Sequence, residues 1–136
     1  MYFSIIITSF QQDEYLKEAI LSCYNQTFQK PFQVIVVNDS GDDLNLQIEL
    51  PERPEIDFIY IKNPKNMGCQ KSYNLGCYFA NDEKNSFLIR CDGDDQLLPN
   101  ALSDLEEFLN EYDNRKLAFV YSDLKIMGTN KIRKYP

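Results

Sequence analysis

Three carboxylates fall within four residues at Asp92-Gly93-Asp94-Asp95. Left unpaired, they repel one another, and each makes ionising the next harder. A hard divalent cation such as Mg²⁺ or Mn²⁺ relieves that repulsion; such ions keep waters and bridge to substrate phosphates. Gly93 permits a tight turn or the close approach of a ligand. A solvated acidic turn is the other reading of the same residues. A second polar run is Asn38-Asp39-Ser40-Gly41-Asp42. A carboxylate there can accept hydrogen bonds from a nucleobase imide or a ribose hydroxyl, or it can close an Asx-turn. A third is Asn63-Pro64-Lys65-Asn66-Met67-Gly68, followed by Lys71 and Asn74. A functional Lys71 would face a diphosphate; otherwise it is a solvated amine. Asn66 can cap a helix.

Other chemistries are excluded by what the sequence lacks. There is no His among 136 residues, which removes Ser-His-Asp and Cys-His catalysis and His-ligated zinc. An EF-hand fails because Gln96 and Leu97 stand where its third ligand and glycine belong. The first apolar run is followed by Thr8-Ser9-Phe10-Gln11-Gln12, not by a dinucleotide fingerprint, and no P-loop occurs. A receiver domain would place an acidic pair there, and none is present. Net charge is −7, so general binding to nucleic acid or anionic lipid is disfavoured. Cys23, Cys69, Cys77 and Cys91 include no C-x-x-C pair and read as reduced thiols of an intracellular protein. No basic leader precedes the first apolar run, and no run approaches the ~20 residues that span a bilayer.

The chemistry-bearing residues need elements to hold them. Tyr2 to Thr8, Phe32 to Val37, Ile56 to Ile61, Ser86 to Arg90 and Leu117 to Tyr121 are short apolar runs, read as buried strands. Helical spacing recurs over Asp13 to Tyr24, Asn66 to Ala80 and Pro99 to Tyr112. Glu49 to Pro54 reads as an ordinary connecting loop, and residues 129–136 as a loosely held basic tail. Strand-helix alternation predicts an α/β domain over residues 1–136, with three α/β/α layers around a mostly parallel sheet. In such sheets ligands bind beyond the carboxyl ends of the strands. Thr8-Ser9, Asn38-Asp39-Ser40 and the acidic run at Asp92 would then open onto one edge.

The ordered set of motifs resembles the nucleotide-binding half of family 2 glycosyltransferases, which have the Rossmann-like GT-A fold. The matching residues are Ser4-Ile5-Ile6-Ile7-Thr8-Ser9-Phe10, Tyr15-Leu16 through Ser22, and Gln26-Thr27. They continue with Val34 to Ser40, Asn63, Asn66-Met67-Gly68, Asn74-Leu75-Gly76 and the D-x-D-like acidic run. The resemblance spans about Tyr2 to Asp123. It implies transfer of a sugar from a nucleotide-diphospho-sugar, a UDP-sugar above all, to an acceptor hydroxyl. Thr8, Ser9, Asp39, Lys71 and Asp92 would border the nucleotide, with Asp39 at the base. Asp94, with Asp92, would hold Mn²⁺ or Mg²⁺ against the diphosphate. Asp95 would orient that shell or the acceptor, and Asp123 is the weak candidate for the base.

The resemblance also implies work on polysaccharide from the cytoplasm, near the inner membrane face. The chain departs from the family in carrying Asn38-Asp39-Ser40-Gly41 after the second strand and Ser72-Tyr73 before Asn74. Family members usually continue further, so the expectation is a form truncated on the C-terminal side, without the acceptor half and its base. A catalytically incomplete homologue that binds donor, or an interaction module, is the alternative. An uncovered sheet edge would invite self-association.

Overall fold

The computed structural model describes residues 1–44, 48–82, 86–111, 119–120 and 122–134. It divides into two compact units, Met1–Glu106 and Glu107–Pro136, where the sequence pattern suggests one domain. In the first unit, β1 (Tyr2–Ser9), α1 (Asp13–Tyr24), β2 (Phe32–Asn38), β3 (Ile56–Lys62), α2 (Cys69–Phe79) and β4 (Ser86–Asp92) follow in order. The unit boundary falls within α3 (Ala101–Glu111). The sheet order is β3-β2-β1-β4 and every pairing in it is parallel.

Burial explains the arrangement. All seven residues of β2 are buried, as are seven of the eight in β1, so these β-branched strands form the centre. β3 and β4 are half exposed, as outer strands should be. On one face, Ile6, Ile35 and Val37 pack against Tyr73, Leu75 and Cys77 of α2. Gly76 makes that approach possible: a Cβ there would lie 2.4 Å from Ile6 Cγ2. On the other face Phe3 meets Phe28 and Phe87 at 5.5 and 6.2 Å, and Tyr24 of α1 meets Phe58 at 6.2 Å. The spacing predicts a stripe of Tyr15, Leu16, Ala19, Ile20 and Cys23; α1 buries the last four and leaves Tyr15 exposed. The α/β/α layering and the parallel sheet therefore stand as expected.

The end of α1 is tied to the start of α3. Gln26 Nε2 donates to the Leu98 carbonyl (2.7 Å), Gln26 Oε1 accepts from Leu102 N–H (3.1 Å), and Ser22 Oγ accepts from Leu97 N–H (3.0 Å). The segment read as an ordinary loop carries more than expected. Arg53 donates to the carbonyls of Tyr24 (2.7 Å), Gln26 (3.0 Å) and Phe28 (2.8 Å) and pairs with Glu55.

Two local expectations change. α2 begins at Cys69, after Gly68 at φ +89°, and not at Asn66. Asn66 Oδ1 instead accepts from Gly68 N–H (2.9 Å), an Asx-turn ahead of the helix. In the second unit, β5 (Leu124–Lys125) pairs antiparallel with β6 (Ile132–Arg133), so part of the basic tail is a strand. The expected strand over Leu117–Tyr121 lies largely outside the described residues.

Candidate functional site

The backbone joins the ends of three strands. β1 pairs Ser9 with Asn38 and Thr8 with Asp92. The ladder then continues past the strands: Asp39 N–H donates to the Ser9 carbonyl (2.8 Å), and Gly93 N–H to the Thr8 carbonyl (3.0 Å). Asn63 N–H donates to the Asn38 carbonyl (2.9 Å), which brings in the loop after β3. A cleft of about 290 Å³ opens here, lined by Thr8, Ser9, Phe10, Gln12, Asp39, Asn66, Gly68, Cys69, Asp92 and Gly93. It sits between β1 and β4, where the strand order reverses, which is where open α/β sheets bind ligands. Gly93 has no room for a side chain: a Cβ would lie 2.9 Å from the Thr8 carbonyl oxygen and 3.0 Å from Ser9 Cβ.

Asn38 and Asp39 divide two tasks that the sequence leaves open. Asn38 makes the turn: its Oδ1 accepts from Ser40 N–H (3.0 Å) and its Nδ2 donates to the Asp42 carbonyl (2.7 Å). Asp39 is released from that duty and faces the cleft. Its Oδ1 accepts from Asn63 Nδ2 and Met67 N–H, both at 2.7 Å, and its Oδ2 from Gly68 N–H (2.8 Å). Burial pushes its pKa up, but the donors from Met67, Asn63, Ser72 and Gly68 outweigh burial and hold it below the usual value. A carboxylate offers about four acceptor sites, and these four donors match that number. The Ser9 hydroxyl is buried and has no partner among the described residues.

Asp92 is bound on its other side by Arg90, whose Nε lies 3.0 Å from Oδ1. Asp94 and Asp95 are exposed on the turn that follows and do not line the cleft. Burial, then the charges of Asp94 and Asp92, push the Asp95 carboxyl up. Lys71 is exposed on the first turn of α2 and does not line the cleft either. Asp123 is exposed and belongs to the second unit.

Among the described residues, no three His, Cys, Asp or Glu side chains gather into a group that could hold a metal. Asp92 and Asp94 offer hard oxygens of the type that Mg²⁺ and Mn²⁺ prefer, and such ions complete their shells with water and phosphate. The residues therefore suit a cation shared with a diphosphate rather than one caged by protein. Sequence reasoning passed over Cys69 and Arg90. Arg90 was legible: it stands two residues before Asp92 on a strand, hence on the same face.

The sequence profile described as Glycosyl transferase family 2 matches residues 4–132. The chain belongs to that family. An uncharacterized glycosyltransferase of Haemophilus influenzae is 30% identical over 115 residues, covering 82% of this chain and 33% of that protein. The poly(ribitol-phosphate) beta-N-acetylglucosaminyltransferase TarS of Staphylococcus aureus is 29% identical over 132 residues, 96% of this chain and 22% of TarS. The crystal structure of S. aureus TarS 1–349 in complex with UDP-GlcNAc aligns with a TM-score of 0.69 at 30% identity, over 82% of this chain and 32% of that one. The same region in complex with UDP gives the same score. The chain thus spans about a third of the length of the first curated relatives it matches.

Proposed function

We propose that this cleft is the donor site of a glycosyltransferase that takes a nucleotide-diphospho-sugar, a UDP-sugar first of all, and transfers the sugar to an acceptor hydroxyl. The observation that carries the proposal is the meeting of Thr8, Ser9, Asp39 and Asp92 on one cleft at the strand ends. Asp39, which lines the cleft at the end of β2, is the carboxylate that meets the base. Thr8 and Ser9 border the nucleoside, where the unpartnered Ser9 hydroxyl can still accept or donate. Asp92 and Asp94 face the diphosphate and would hold Mn²⁺ or Mg²⁺ there. When bound, the cation offsets the charge that develops on the departing nucleoside diphosphate. Asp95, on the same turn, would orient the cation's shell or an acceptor. The TarS complexes with UDP and UDP-GlcNAc support the choice of a uridine donor. No described helix is long and apolar enough to cross a membrane.

Thermal unfolding with UDP, with and without Mn²⁺, tests the donor site. Ligand at 100 times its Kd adds about 2.7 kcal/mol, or roughly 5–15 °C for a domain of this size. The expected shift grows with Mn²⁺, and that gain shrinks in Asp94→Ala. An undiminished, Mn²⁺-dependent shift in that variant removes Asp94 from the metal site. A shift with GDP but not UDP moves the donor class, and no shift with any nucleotide overturns the donor site.

A further inference from the structure

Arg90 holds Asp92 in a fork. Nε lies 3.0 Å from Oδ1 and Nη2 lies 3.4 Å from Oδ2, so both carboxylate oxygens are engaged from the strand side. The guanidinium also reaches α2: Nη2 lies 3.6 Å from Cys69 Sγ, and the group sits 5.7 Å from the centre of the Tyr73 ring. Two elements that wall the cleft are thereby joined through one cation. Stability alone is a weak reason for this pair, because both side chains are about half exposed, at 52% and 44%, and exposed ion pairs contribute little. Its place beside the cleft suggests another use. Asp92 lines the cleft, Asp94 and Asp95 follow it on the next turn, and the chain carries a net charge of −7, a field that repels a diphosphate. Among the described residues, Arg90 is the cation in an ion pair with a residue that lines the cleft.

We infer that Arg90 is a positioning residue for the donor diphosphate: it neutralises Asp92 and fixes the plane of its carboxylate, so that the phosphates meet a compensated pair. This rests on the donor site proposed above. A planar guanidinium suits the task, because its fork sets orientation as well as charge.

Calorimetric titration of UDP and of uridine, each with and without Mn²⁺, separates this role from a structural one. Uridine shares the base and ribose contacts and lacks phosphate. In R90A, metal-free UDP affinity should fall at least tenfold while uridine affinity stays within twofold. Saturating Mn²⁺ should narrow the UDP deficit. R90K, which keeps the charge and loses the fork, should recover only part of the metal-free UDP affinity. If R90A keeps the wild-type ratio of UDP to uridine affinity, or loses both ligands equally, the inference is overturned while the donor site stands. If the wild-type chain binds neither UDP nor uridine, the donor site and the inference fall together.

Discussion

At the residue scale, Asp39 organises the site more than its place in a polar run suggests. One carboxylate fixes Asn63, Met67 and Gly68, and with them the loop that leads into α2. Asp39→Asn keeps the shape but turns one acceptor oxygen into a donor facing backbone N–H groups. The expected cost is about 2–4 kcal/mol of stability, measured by urea unfolding, with at least a tenfold loss of UDP affinity. The pH dependence has a definite sign. Because the folded pKa of Asp39 is depressed, its contribution is complete above the ordinary aspartate value, near ~4, and is lost as pH falls through the lower folded value. The stability gap between wild type and Asp39→Asn should therefore be flat from about pH 5 to 8 and close below about pH 4. A gap that widens in acid would contradict this.

The thiols give a second residue-scale test. Burial pushes Cys91 up to about 12 and Cys23 higher, whereas Cys69 is exposed. Brief alkylation of the native chain at pH 8, read by mass, should mark Cys69 first and leave Cys23 and Cys91 unmarked until denaturant is added. At this scale the sequence was a partial guide. It placed Thr8, Ser9, Asp39 and Asp92 at the cleft, because strand ends are readable from apolar runs. It could not assign the Asx-turn to Asn38 instead of Asp39, since neighbouring side chains of like chemistry are sorted only by where the backbone points them. Lys71 shows the same limit: helical spacing puts it near the strand ends, but the phase of α2 turns it outward.

At the element scale, the close seat of α2 rests on Gly76. Alanine is the better helix former, and at an open site Gly→Ala would stabilise α2 by roughly 0.5–1 kcal/mol. Here the added methyl would meet Ile6 at 2.4 Å, so Gly76→Ala should instead cost about 1–3 kcal/mol in chemical denaturation. A stabilised variant would mean that α2 can lift off the sheet freely. Arg53 clamps the exit from α1 through three carbonyls, and Arg53→Ala should cost about 2–4 kcal/mol by the same measurement. Apolar periodicity placed all three helices and four strands to within a few residues, because buried faces impose that pattern. It gave no hint of Arg53, whose partners are backbone carbonyls that any sequence would offer.

At the scale of the whole molecule, the sheet ends in two outer strands. β3 carries exposed Phe58 and Tyr60, and β4 carries exposed Leu88. Outer strands with apolar side chains favour pairing with another copy. The isolated chain is therefore expected to self-associate at high concentration, and Leu88→Lys to reduce it by light scattering. A monodisperse wild-type monomer at several hundred micromolar would contradict that. The layer order was legible because a parallel sheet needs crossovers, and the sequence shows them as strand-helix alternation. The division at Glu106 was not, since α3 runs through it without a break in periodicity.

The strand order also governs how the chain is made. β1 leaves the ribosome well ahead of β4, one of its two neighbours, which follows roughly eighty residues later. At ~5–20 residues per second, β1 waits on the order of 4–17 seconds with one flank bare. During that interval Ile5, Ile6 and Ile7 present an unpaired apolar strand to whatever is near. Synthesis is thus a vulnerable moment for this fold, and a ribosome-bound chaperone that shields the stretch from β1 to β4 would protect the strand on which the cleft is later built.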